Sequence, residues 1–135
     1  MSDIASSNKA RIAQQFSRAA NTYNSAADVQ LDIAFDALAF VPGHYKSGLD
    51  VGCGTGRISQ QLATKCDRLV AMDFAFGMLT YAKQDYFSGD DSICWVQGDA
   101  DCLPMADHSV DMVFSSMALQ WSDNQQKVMS EIARV

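Results

Sequence analysis

The chain lacks any apolar run near the ~18–20 residues that a membrane-spanning helix needs, so no transmembrane helix is read in it. Residues 1–30 are rich in Ala, Ser, Asn and Gln. They show no basic start, apolar stretch or small-residue cleavage site, so no secretory leader is read there. Clusters of Lys or Arg are also missing: ten basic residues face sixteen acidic ones, for a net charge of −6. A protein whose task is to grip a phosphate backbone needs the opposite balance, and nucleic acid is not an expected partner. The four cysteines, Cys53, Cys66, Cys94 and Cys102, form no Cys-x-x-Cys pair and have no neighbouring His. That spacing fits neither a zinc site nor a dense disulfide scaffold. They read as reduced thiols of a cytoplasmic protein, and no metal is expected. Low-complexity tracts and internal repeats are absent too.

What remains is ordinary globular composition, 48% apolar and 19% charged over 135 residues, enough for one sizeable core. The first forty residues carry helical spacing. Phe16, Ala19, Ala20 and Tyr23 form one stripe, and Ala27, Leu31, Ala34, Phe35 and Leu38 form a second that ends at Pro42-Gly43. From Gly48 the pattern changes to strands alternating with helices. Strands are predicted at 49–52, 69–73, 93–97 and 110–116, with helices at 57–65, 76–86 and from about 123 to the end. Ser88-Gly89-Asp90-Asp91 reads as a turn. Val128, Ile132 and Val135 mark the buried stripe of the last helix. This alternation means an α/β fold with a parallel sheet and right-handed crossovers, and such sheets bind ligands beyond the C-terminal ends of their strands. The residues of chemical interest fall there: Gly52–Gly56, Asp73, Asp99 and Ser116.

Gly52, Gly54 and Gly56 follow a strand and precede a helix, an arrangement that lets backbone N–H groups approach a polar ligand. The spacing departs from G-x-G-x-x-G, because Arg57 follows the third glycine directly. That disfavours a nicotinamide-dependent oxidoreductase. Asp50, two residues before the loop, suits a ligand's ammonium group. Asp73 stands 21 residues after Gly52, where a carboxylate accepts both hydroxyls of a ribose without choosing between cofactors; it is equally placed to cap the next helix. Asp99, with the backbone of Ala100, is placed to read an adenine edge, or to close an Asx turn. His44 and His108 sit in predicted loops with no partner pattern.

Taken together, Leu49-Asp50-Val51-Gly52-Cys53-Gly54-Thr55-Gly56-Arg57, Asp73 with Met78-Leu79, Gly98-Asp99-Ala100 with Leu103-Pro104, and Val110–Ser116 resemble the successive motifs of class I S-adenosylmethionine-dependent methyltransferases. The resemblance covers residues 48–135. It implies a Rossmann-like fold with S-adenosyl-L-methionine as cofactor, bound by Asp50, Gly52, Cys53, Gly54, Gly56, Asp73, Phe74, Met78, Asp99, Ala100 and Ser116. A narrower resemblance lies in Phe16-Ser17-Arg18-Ala19-Ala20-Asn21-Thr22-Tyr23, Ala27-Asp28-Val29-Gln30, Met117-Ala118-Leu119-Gln120-Trp121 and Glu131–Val135. These are similar to segments of the malonyl-acyl-carrier-protein O-methyltransferases of biotin synthesis. It implies that residues 1–45 form a helical lid and that 46–135 form a cofactor-binding core lacking further strands. The acceptor would be the carboxylate of a malonyl thioester, on acyl-carrier protein or as a small molecule. Arg18 and Tyr23 would hold that carboxylate, with Gln120 and Trp121 lining the methyl site. Another small-molecule acceptor, or a binding half-domain without turnover, are the alternatives. Ala75 departs from the family's Ser after the ribose acid, a change expected to weaken the helix cap by ~1 kcal/mol. An acidic carrier protein is repelled by the overall charge, so its docking patch would have to be local. An open sheet edge predicts self-association.

Overall fold

A computed structural model describes the backbone of residues 2–26, 28–85 and 91–135, and their side chains apart from 2–7, 21–26 and 28. Two helices, α1 (Ser2–Ala26) and α2 (Asp28–Ala39), precede an alternation of β1 (Tyr45–Val51), α3 (Arg57–Ala63), β2 (Cys66–Asp73), α4 (Phe76–Asp85), β3 (Ile93–Gln97) and β4 (Met112–Phe114). A short 3₁₀ turn at Leu119–Trp121 and helix α5 (Gln125–Arg134) follow. The four strands are parallel in the order β3-β2-β1-β4, with Leu49 opposite both Val70 and Val113.

Both sheet faces are covered. On one, Leu62 and Ile58 of α3 and Ala34 and Leu38 of α2 pack against Leu69 and Phe114. On the other, Leu49, Val51 and Met72 pack with Leu103, Ile132 and the C-terminal Val135. A parallel sheet buried on both faces needs apolar residues at successive positions, which is why these strands read as runs rather than alternations.

Several sequence expectations are adjusted, among them the second strand, which starts at Cys66 and not at 69. The first strand starts four residues earlier than its apolar run, because the backbone of Tyr45–Gly48 pairs with β2 although its side chains are polar or small. The fourth is shorter than 110–116: the Val110 N–H donates to the Val135 carbonyl, and the Ser115 hydroxyl caps the Val51 carbonyl. Phe35 does not belong to the core stripe of α2. Leu31, Ala34 and Leu38 fill the narrow buried face, leaving Phe35 40% exposed beside the exposed Ile33. Ala27 and most of the predicted turn at 88–91 lie outside the described residues. His44, expected without a partner, donates from Nε2 to the exposed Asp67 carboxylate at 2.7 Å, while His108 is exposed in a loop at φ 52°.

Helix α1 crosses α4 at very close range. A Cβ on Gly77 would lie 2.6 Å from the Ser17 Cα, so only glycine permits this approach. The Ser17 hydroxyl accepts the Gly77 N–H at 3.0 Å, and the Asp73 carboxylate accepts the Ala75 N–H at 2.8 Å. The Gly77 N–H that a serine at position 75 could cap is therefore taken by Ser17 from α1, and the expected loss at Ala75 is offset.

Candidate cofactor-binding site

A cleft opens at the C-terminal ends of the strands, with α1 along one side. Its floor is the glycine loop. The N–H groups of Gly52 and Cys53 both donate to the Met72 carbonyl, at 2.8 and 2.9 Å, which ties the loop to the end of β2. Gly52, Gly54 and Gly56 all have positive φ, at 76°, 57° and 81°. Two reasons for glycine separate here. At Gly52 a Cβ would lie 2.2 Å from the Ala118 Cβ, so the segment after β4 packs directly on the loop. At Gly54 no atom lies within 4 Å of that position, and the backbone faces open space. Gly52→Ala is expected to cost at least ~1–2 kcal/mol from its left-handed backbone alone, with the clash against Ala118 added. Chemical denaturation of the variant measures this.

Asp73 sits at the end of β2. Its carboxylate accepts the Gly54 N–H at 2.8 Å as well as that of Ala75, so it holds the loop and the start of α4 at once. Burial raises its pKa above the ordinary carboxylate value, against the opposing pull of backbone N–H donors. Asp50 is buried in β1 and accepts from the Ser59 hydroxyl at 2.7 Å. Burial, with the nearby Asp73 charge adding to it, pushes its pKa to about 7 despite the Ser59 hydrogen bond. Two acids at adjacent strand ends, Asp50 buried and Asp73 half-buried at the cleft, form a site of latent negative charge that a cation would relieve. The same burial pushes the Cys53 thiol well above its ordinary value, so it stays protonated.

At the end of β3 the Asp99 carboxylate accepts the Asp101 N–H at 2.9 Å, an Asx turn of the kind the sequence suggested. Lys9 of α1 reaches both Asp99 oxygens at 3.1 Å and also Asp101, whose second oxygen accepts from the Ser122 hydroxyl at 2.6 Å. Burial raises the Asp101 pKa, but the Lys9 and Ser122 hydrogen bonds outweigh it and hold the group below the ordinary range. One ammonium thus joins α1, the loop after β3 and the segment before α5. Higher on α1, the Phe16 ring meets the Trp121 ring edge-on, with centroids 5.4 Å apart.

Of the residues singled out in the sequence, Gly52, Gly54, Asp73, Phe74, Met78 and Ser116 border the main cleft, as do Asp99, Ala100 and Trp121. Asp50, Cys53 and Arg57 border an adjoining lobe between the glycine loop and α2. Gly56 lies behind the loop, against the Trp95 ring. Gln120 and Arg18 are not brought to the cleft: Gln120 is exposed and donates to the Met117 carbonyl, and Arg18 is exposed on α1. The Tyr23 side chain lies outside the described residues. Sequence reasoning missed Lys9, Ser59, Asp101 and Ser122. A signal for Lys9 existed, since it stands three, four and seven residues before Ile12, Ala13 and Phe16, all of which border the cleft. Among the described residues no group of His, Cys, Asp and Glu is arranged to hold a metal ion, and no helix is long and apolar enough to cross a membrane.

Comparison with known proteins agrees with this geometry. Residues 49–135 match the family described as a methyltransferase domain. The chain is 42% identical over 129 residues to the biotin biosynthesis bifunctional protein BioHC of Cellvibrio japonicus, covering 94% of this chain and 25% of that protein. It is 39% identical over 133 residues to the malonyl-[acyl-carrier protein] O-methyltransferase of Hamiltonella defensa, covering 98% and 50%. The chain thus spans a quarter to a half of the length of these curated relatives. Among solved structures, it superimposes with a TM-score of 0.80 at 27% identity on the complex of the Haloferax volcanii Trm112 methyltransferase activator with its methyltransferase, covering 88% of this chain and 54% of that one. The Haemonchus contortus phosphoethanolamine N-methyltransferase 1, solved with phosphoethanolamine and S-adenosylhomocysteine, shares the fold with a TM-score of 0.82 at 21% identity, over 98% of this chain and 29% of that one. The glycine loop, the strand-end acids and the four-strand parallel order therefore have one source: the chain belongs to the methyltransferase domain family, in its class I fold.

Proposed function

We propose that this chain is the cofactor-binding part of an S-adenosylmethionine-dependent methyltransferase whose acceptor is the free carboxylate of a malonyl thioester, carried on acyl-carrier protein or coenzyme A in biotin synthesis in the cytoplasm. The observation that carries the reading is the row of carboxylates at the ends of β1, β2 and β3, Asp50, Asp73 and Asp99, set around one glycine-floored cleft. The acceptor follows the names of the curated relatives.

The donor set fits the cofactor part by part. Asp50, buried and raised to about 7, gains most from a ligand's ammonium. Asp73, fixed by two backbone N–H groups, keeps acceptor capacity for ribose hydroxyls. Met78, Phe74 and Ala100 offer an apolar berth beside Asp99 for a flat base. When bound, the cofactor supplies an electrophilic methyl group on a sulfonium.

The chain's own contribution is placement. A carboxylate is ionised at pH 7 and needs no general base. The cleft therefore has to hold its oxygen in line with the methyl and keep water away. Phe16, Trp121, Met117 and Ala118 supply an apolar wall for that exclusion. The test is transfer of labelled methyl from S-adenosylmethionine to malonyl-acyl-carrier protein. Label is expected in the malonyl ester and not in acetyl-acyl-carrier protein, which has no free carboxylate. Transfer only to an unrelated small molecule would contradict the acceptor assignment.

A further inference from the structure

Three carboxylate oxygens lie around the Lys9 ammonium, both of Asp99 at 3.1 Å and one of Asp101. An ammonium has three donors, so none is left over for a ligand. Lys9 nevertheless stands at the cleft, on the stretch of α1 that also brings Ile12, Ala13 and Phe16 to it, whereas Asp101 does not border it. The side chains of Lys9 and Asp101 are 16% and 15% exposed, that of Asp99 35%. Asp99 is therefore the member of the cluster that a ligand can reach, and Lys9 acts on a ligand only through it.

The two Asp99 oxygens differ. Oδ1 accepts from Lys9 and from the Asp101 N–H at 2.9 Å. Among the described residues Oδ2 has Lys9 as its one donor, which leaves it a further lone pair. Asp101 is a like charge on the same ammonium, held from its other side by the Ser122 hydroxyl at 2.6 Å. Without the ammonium the two acids repel each other. Asp99 then keeps a single backbone tie, about which its carboxylate can turn. A carboxylate only accepts hydrogen bonds. Fixed at the cleft beside Ala100, it matches a base edge that carries an amino group and opposes one that carries a carbonyl.

We infer that Lys9 is a positioning residue that sets the site's selectivity for the cofactor's base by fixing the Asp99 carboxylate, a role that rests on the methyltransferase reading above. S-Adenosylhomocysteine and S-inosylhomocysteine carry an amino and a carbonyl group, respectively, at purine C6. Both are titrated calorimetrically into wild type, Lys9→Met, Lys9→Arg and Ser17→Ala. Wild type is expected to prefer the adenine ligand by about tenfold or more. Lys9→Met should bind that ligand about fivefold more weakly and the inosine ligand nearly as before, so that the preference falls to about twofold. Lys9→Arg, which keeps the cation, should restore most of it. Ser17→Ala loosens the same helix at Gly77 without touching Asp99, and its preference should stay as in wild type. A preference undiminished in Lys9→Met overturns the inference, whether both affinities fall by one factor, as a mere strut for α1 would give, or neither does. Loss of the preference in Ser17→Ala as well assigns the effect to helix docking and also overturns it. So does tighter binding of the adenine ligand by Lys9→Met, since the ammonium would then be a competitor for Asp99. Should Lys9→Met not melt cooperatively, Lys9→Gln, whose amide still donates to one acid, reads the same ratio. A wild type that treats the two ligands alike removes Asp99 from base recognition and the inference with it. A cooperatively folded wild type that binds neither overturns the methyltransferase reading itself.

Discussion

Asp73→Ala is expected to weaken S-adenosylhomocysteine binding by at least a hundredfold. Two effects add. The carboxylate is the acceptor proposed for two ribose hydroxyls, and hydrogen bonds to a charged group contribute about 1.5–3 kcal/mol each. It is also the partner of the Gly54 and Ala75 N–H groups. Without it both donors are orphaned, at about 1–3 kcal/mol each if they stay buried, and the loop loses its tie to the end of β2. Asp73→Asn separates the effects. The asparagine's one oxygen can accept from only one of the two N–H groups, which use separate carboxylate oxygens. The melting temperature should therefore fall in both variants, and less in the asparagine variant because one donor keeps its partner, while ligand affinity still drops. Calorimetric titration beside thermal melts reads both. An alanine variant that binds within tenfold of wild type would remove Asp73 from the site.

The second large effect is in pH. Asp50 has a folded pKa of about 7 against an ordinary value of 3.8. Below about pH 4 the group is protonated in folded and unfolded chains alike and contributes nothing. Between about pH 4 and 7 the unfolded chain releases the proton while the folded chain keeps it, so stability falls as pH rises. Above 7 the penalty is complete, on the order of 4 kcal/mol from the size of the shift. The raised Asp73 pKa acts in the same direction. Asp50→Asn should therefore be more stable than wild type at pH 8, with the gain shrinking towards pH 4. Ligand binding runs the other way, because an ammonium group seeks the ionised form. Wild-type affinity for S-adenosylhomocysteine should fall about tenfold from pH 8 to pH 6, and Asp50→Asn should bind weakly with a flatter profile. Denaturation and titration series across this range give both curves. A wild-type affinity independent of pH would contradict the role given to Asp50.

This opposition between stability and binding explains why the site was partly legible in the sequence. An acid within an apolar strand, as in Leu49-Asp50-Val51, breaks the pattern of a core strand and so announces a ligand. The glycines announced themselves through their number and their place between strand and helix. Strand β3 was visible as a run, Ile93–Gln97, because four apolar residues in succession end at the turn signal Gly98-Asp99. Tyr45–Gly48 was not visible as strand, because Lys46, Ser47 and Gly48 carry no apolar run and the segment's pairing is made by its backbone with β2. Lys9 escaped for a related reason. A lysine in an Ala- and Gln-rich helix looks like a solvated surface charge, and its partners lie 90 and 92 residues further on. Phe35 erred in the other direction: helical spacing identified the face of α2 but not how narrow its buried stripe is.

The central claim, that these four strands and their loops build a site for S-adenosylmethionine, is tested most directly by calorimetric titration of S-adenosylhomocysteine into the wild-type chain at pH 8, with circular dichroism confirming a cooperative melt. The account predicts saturable one-to-one binding in the micromolar range. A cooperatively folded chain that gives no binding heat, and no rise in melting temperature at millimolar ligand, would contradict it.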